Sequence, residues 1–185
     1  MDLLILFVIA LGLAMNCFGL AIANSSISGK VLPGVPLRTS AAFALSHFVF
    51  TFAGFYLGRW AHYTVEGIEG WSSFIILVII GVKMIMEAMR KRPETKVFDI
   101  NNRRVIFLLS LASGINALLA GLVLGIMSEP ILRAAIMVAF TVFFFTFFGM
   151  LRGHQMGMPF AKRVTIFGGV FLIIAGFRFL IDFVF

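Results

Sequence analysis

The stretch Phe48-Val49-Phe50-Thr51-Phe52-Ala53-Gly54-Phe55-Tyr56-Leu57-Gly58 returns later in the chain as Phe143-Phe144-Phe145-Thr146-Phe147-Phe148-Gly149-Met150-Leu151-Arg152-Gly153. Both follow the frame Phe-x-Phe-Thr-Phe-x-Gly-x-x-x-Gly. At the same offset, Ile79-Ile80-Gly81-Val82-Lys83-Met84-Ile85-Met86-Glu87 aligns with Ile174-Ala175-Gly176-Phe177-Arg178-Phe179-Leu180-Ile181-Asp182, so glycine, cation and acid keep register. Two matches at one offset, joined by Asn16 and Asn116 at a slightly longer one, point to an internal duplication.

Each copy is too apolar for water. The 185 residues are 61% hydrophobic and 12% charged, with a mean hydropathy of +1.08, against roughly 45–50% apolar residues in soluble domains. Apolar runs near residues 3–23, 40–58, 72–89, 105–127, 131–150 and 164–184 each approach the ~20 residues that carry a helix across a ~30 Å hydrocarbon core. The expectation is an all-α polytopic membrane protein with six transmembrane helices in a single domain. Repeat one covers about 1–89, a polar loop containing Pro93 about 90–104, and repeat two about 105–185. Three helices per copy is an odd number, so the second copy enters the membrane from the opposite face. Such inverted repeats typify secondary transporters, whose substrate sites lie near midplane at the repeat interface.

The net charge of +7 would suggest nucleic acid in a soluble protein, but its placement here follows the membrane. Lys30, Arg38, Arg90, Lys91, Arg92, Lys96, Arg103, Arg104, Arg152, Lys162 and Arg163 fall at the first, third and fifth loops, and only Arg59 and Arg133 at the second and fourth. The positive-inside rule makes the odd loops cytoplasmic. Both termini then face outward from the cell (inner) membrane. Met1-Asp2 supplies no basic n-region, so the first run is expected to be retained rather than cleaved as a signal peptide. A single cysteine, Cys17, allows neither an intramolecular disulfide nor a CxxC metal motif.

Polar residues inside these spans require an explanation, because an unpartnered amide in hydrocarbon costs several kcal/mol. Gly12, Asn16, Gly19 and Ala23 share one helical face; Ala112, Asn116 and Ala120 share another; Ala44, His47, Thr51, Gly54 and Gly58 make a third. Asn16, Asn116, His47 and Thr51 are the candidate substrate-binding residues, with Asn16, Asn116 and His47 as candidate metal ligands. The bland reading is packing stripes in which each Asn bonds a backbone carbonyl. His62 and His154 are read as loop residues. Lys83 with Glu87 and Arg178 with Asp182 are i,i+4 pairs, either local ion pairs snorkelling to the interface or latches of two gates on opposite sides. Met15 and Cys17 flank Asn16, whereas Met84, Met86 and Met89 read as packing or lipid-facing residues. No nucleophile–base pair, metalloprotease motif or phosphate loop supports an enzyme, and no cofactor is implied.

The Ala-Met-x-x-Phe-x-x-Ala-Ile core around Asn16, the Gly54/Gly58 frame, Gly81-x-Lys83-Met84-Ile85-x-Glu87, Gly149-Met150-x-x-Gly153, and Lys162-Arg163 leading to Gly168-Gly169 together resemble the MntP manganese efflux pump family of the lysine-exporter superfamily. The resemblance covers nearly the whole chain and implies a six-helix exporter of a divalent cation. It also implies aspartates where this chain has Asn16 and Asn116, a glutamate at His47 and an acid at Thr165. Of the family's intramembrane acids, Glu87 is matched. Hard dications prefer anionic oxygen, so these replacements favour weaker binding or a borderline metal through His47. Export of a neutral or zwitterionic solute is the alternative, and a non-transporting scaffold is a third reading; under any of them the chain is open to self-association into a homo-oligomer.

Overall fold

The computed structural model describes residues 3–28, 32–62, 67–90, 102–127 and 130–184. They form α1 (Leu3–Ser28), α2 (Val35–His62), α3 (Glu69–Met89), α4 (Arg103–Ile126) and α5 (Ile131–Val184). All five are long and apolar enough to cross a membrane, and the described residues contain no strand. The chain is a multi-pass membrane protein whose described elements are all helices. Most of the polar segment expected at 90–104 lies outside the described residues.

α1 and α2 outrun their apolar stretches by a turn or more because hydropathy registers only the hydrocarbon core, while interfacial turns stay helical with polar residues. α2 starts with Gly34 at φ 85 and Pro36 in its first turn, where the missing N–H costs nothing. It ends at His62, whose ring Nδ1 donates to the Ile126 carbonyl at 2.7 Å, so this histidine is a helix terminus and not a loop residue. α4 starts on an N-cap: the Asn102 side-chain oxygen accepts from the Arg104 N–H at 3.0 Å.

The largest departure from the expected pattern lies in α5. Residues 151–163, read as a loop, continue the helix, and His154 sits within it. A straight helix of 54 residues would be about 80 Å long, more than two bilayer cores. Gly157 interrupts it with φ 74 and ψ 170, and Pro159 follows. A positive φ suits glycine, and proline removes a ladder N–H.

Contacts show that the chain reverses there. In the first arm of α5, Gly149 lies against Phe18 and Ala21, and Gly153 against Ile22 and Ser25, so this arm runs parallel to α1. In the second arm, Gly168 faces Gly12 and Met15, and Ala161 and Thr165 face Gly19. That arm runs antiparallel to α1. α2 is parallel to α4, with Gly114 against Ser46, Gly54 against Leu118 and Gly58 against Leu122. α3 is antiparallel to the second arm, pairing Gly70 with Phe183, Gly176 with Phe74 and Gly81 with Gly169.

These glycines allow the backbones to touch. A Cβ at Gly54 or Gly58 would overlap the Leu118 or Leu122 carbonyl, and such small-residue seams are how helices associate when lipid is as apolar as leucine. Hydroxyls add polar ties: Ser46 Oγ donates to the Ser110 carbonyl at 2.8 Å, Ser25 Oγ to Met150 at 3.0 Å and Ser26 Oγ to Gly153 at 2.8 Å. Ile9, Leu13, Phe43, Leu77, Ile80, Met84 and Leu172 fill the centre. Trp60, Ile79, Phe107, Phe140 and Phe167 stand outward, the side that hydrocarbon covers.

Candidate functional site

α1, the end of α3 and the start of the second α5 arm enclose a cleft of about 660 Å³. Asn16, Gly19, Leu20 and Ala23 form its α1 wall; Glu87, Ala88 and Arg90 come from the end of α3; Met158, Pro159, Ala161, Lys162 and Thr165 close it from beyond the Gly157 break. The small-residue stripe of α1 thus faces the second arm. At its narrowest, a Cβ on Gly19 would overlap Thr165 Oγ1. Glycine there gives the wall room for the hydroxyl.

Asn16 is buried at 6% exposure, and among the described residues its amide has no hydrogen-bond partner. Thr165 Oγ1 donates to the Ala161 carbonyl at 3.1 Å, which leaves the hydroxyl oxygen able to accept or ligate. Glu87 supplies a carboxylate, and Arg90 and Lys162 supply two cations.

Asn116 is buried on α4 and is not part of the cleft wall. Its Oδ1 accepts from the Lys83 ammonium at 3.1 Å, and the same Nζ lies 3.9 Å from Glu87 Oε1. Lys83 therefore joins the two polar places: it holds Asn116 with a charge-assisted bond and reaches toward the cleft's carboxylate. Arg178 hydrogen-bonds Asp182 within the second arm. Lys83 also leaves its own helix to bind α4.

His47 belongs to another cluster. It is fully buried, its Nδ1 bonds the Phe43 carbonyl at 2.9 Å, and its Nε2 lies 3.3 Å from Cys17 Sγ. Cys17 Sγ is also 3.4 Å from Ser113 Oγ. A carbonyl only accepts, so Nδ1 carries the hydrogen and Nε2 is free to accept from the thiol. Thr51, one turn along α2, has a buried hydroxyl without a partner, as does Thr146 in the matching frame.

The four candidate binding residues thus occupy separate surroundings: Asn16 in the cleft, Asn116 on Lys83, His47 on Cys17, Thr51 in a dry helix seam. Among the described residues no three of His, Cys, Asp and Glu gather around one point. Sequence reading did not anticipate the Cys17–Ser113 contact or the bond from Lys83 to Asn116. Ser113 and Asn116 share a face by i,i+3 spacing, but spacing names no partner on another helix.

A family profile described as "Mntp: Putative manganese efflux pump" matches residues 34–180. Curated proteins named "Putative manganese efflux pump MntP" are similar over nearly their full length. The protein from Methanosarcina acetivorans is 34% identical, with 98% of this chain and 97% of the relative covered. That from Methanoregula boonei is 32% identical with 98% of each covered, and that from Rippkaea orientalis 31% with 98% and 97% covered. No solved structure matches the chain.

Proposed function

The chain belongs to the Mntp family, and from that premise we propose that it is a secondary transporter that exports a divalent cation of the manganese class from the cell. The observation that carries this is the cleft, whose wall includes an unpartnered buried amide, a hydroxyl and a carboxylate from Asn16, Thr165 and Glu87. Three oxygen-bearing side chains on two helices and a helix end suit a hard cation, which takes oxygen ligands.

The cation would be held in the cleft by Asn16, Thr165 and Glu87. Asn116 becomes available only when Lys83 withdraws, because an ammonium on its Oδ1 repels a second cation. In proteoliposomes, Asn16→Ala is expected to abolish manganese flux in folded protein. Flux equal to wild type would leave Asn16 a packing residue.

Six spans in two inverted repeats complete the proposal, with limits near 89 and 105 and both termini outside the inner membrane. The packing supports it. Gly54 on Leu118 and Gly58 on Leu122 correspond under the repeat to Gly149 on Phe18 and Gly153 on Ile22. Likewise Gly125 sits against the Phe55 carbonyl where Ser25 bonds Met150. Under this symmetry the Lys83/Glu87 and Arg178/Asp182 pairs lie toward opposite membrane faces and act as alternating latches. Glu87→Gln and Asp182→Asn should then shift cysteine labelling along the α1 stripe in opposite directions. Small changes of the same sign would reduce both to surface ion pairs.

A zwitterionic solute is the second reading, favoured by one observation: Arg90 and Lys162 outnumber Glu87 around the cleft. Flux of zwitterionic solutes in the same vesicles, with none of manganese, would select it.

A further inference from the structure

The Cys17–His47–Ser113 cluster lies outside the cleft and takes no part in the proposed oxygen site. We propose that it is a binding site for a borderline divalent cation of the zinc class, held by Cys17 Sγ, His47 Nε2 and Ser113 Oγ from three different helices.

Geometry carries the assignment. Around a tetrahedral ion with metal–sulfur near 2.3 Å and metal–nitrogen or metal–oxygen near 2.0–2.2 Å, ligand atoms stand ~3.6 Å apart. Here Sγ and Nε2 are 3.3 Å apart, and Sγ and Oγ 3.4 Å. Each of these two pairs needs to part by only a few tenths of an ångström to admit the ion. The imidazole is oriented as a ligand requires: Nδ1 donates to the Phe43 carbonyl at 2.9 Å, which fixes the tautomer and directs the Nε2 lone pair at the sulfur. A metal-binding histidine almost always has such a support.

Ligand chemistry selects the ion. Thiolate and imidazole bind zinc, cobalt(II) and their neighbours far better than manganese. On binding, the Cys17 S–H bond breaks, a sulfur–metal bond forms, and the proton is released to the surrounding solution. No electron changes hands. Passage from cleft to cluster rests on the transporter reading; binding itself does not.

The test uses cobalt(II), whose bond to a thiolate produces a near-ultraviolet charge-transfer band. Purified full-length protein in detergent, titrated with cobalt chloride, should develop this band at one equivalent and lose it on addition of zinc. Cys17→Ser should abolish the band with helicity unchanged by circular dichroism. His47→Gln should weaken cobalt binding at least tenfold. A folded wild-type protein without the band, or a band that persists in Cys17→Ser, overturns the site. Manganese flux in vesicles of the same preparations is scored separately: flux without a band refutes the cluster alone, and a band without any metal flux refutes the transporter alone.

Discussion

At the scale of single residues, Asn16 and Asn116 look alike in sequence and differ in what they touch. Asn16 faces the cleft without a partner, whereas Asn116 receives the Lys83 ammonium at 3.1 Å. A carboxylate at either place is nearly isosteric with the amide, yet the outcomes should diverge. Asn16→Asp adds a negative charge to a cleft whose wall also carries Thr165, Glu87, Arg90 and Lys162, and even at an effective dielectric near 20 one charge pair at 4 Å amounts to about 4 kcal/mol. Much of that is offset by desolvation, and the expected gain is about tenfold or more in manganese affinity by titration calorimetry. Asn116→Asp should gain little, because Lys83 neutralises the new charge. Equal gains at both positions would show that Lys83 does not hold Asn116.

At the scale of elements, the glycine frame is a backbone seam. Gly54→Val would force its Cβ into the Leu118 carbonyl, and backbone has no rotamer by which to withdraw. Overpacking of this kind costs about 1–3 kcal/mol or more, so the thermal midpoint in detergent should fall by several degrees. Ala53→Val, one residue away on an exposed face, should leave it unchanged. A similar fall for both would mean that the seam is looser than described. The frame was legible as a repeated pattern because glycine spacing survives in the sequence. Which helix it meets was not, since phenylalanine-rich helices offer many equivalent faces.

At the scale of the whole molecule, orientation follows from the charges of the loops and from the reversal at Gly157. α1 runs parallel to the first arm of α5 and antiparallel to the second, so a C-terminus on the same side as the N-terminus is expected. Reporter fusions after Phe185 should read as external, and fusions within 93–99 as cytoplasmic. An internal C-terminus would remove the six-span arrangement and the inverted repeat together.

By itself, the amino-acid sequence determined that the chain spans a membrane, because the cost of exposing so much apolar surface to water depends on composition and run length alone. It also determined where the glycine seams and the buried amides would lie, since helical periodicity assigns each residue to a face. It misread residues 151–163 as a loop, because polar residues at an interface remain helical and hydropathy does not report backbone geometry. Only the tertiary structure decided what each polar group meets. Asn16 was set in a cleft, Lys83 crossed from α3 to Asn116, and Cys17 met His47 and Ser113 from two other helices. Those contacts depend on the rotation of each helix about its axis and on its depth against its neighbours, which packing fixes and which no single stretch of chain contains.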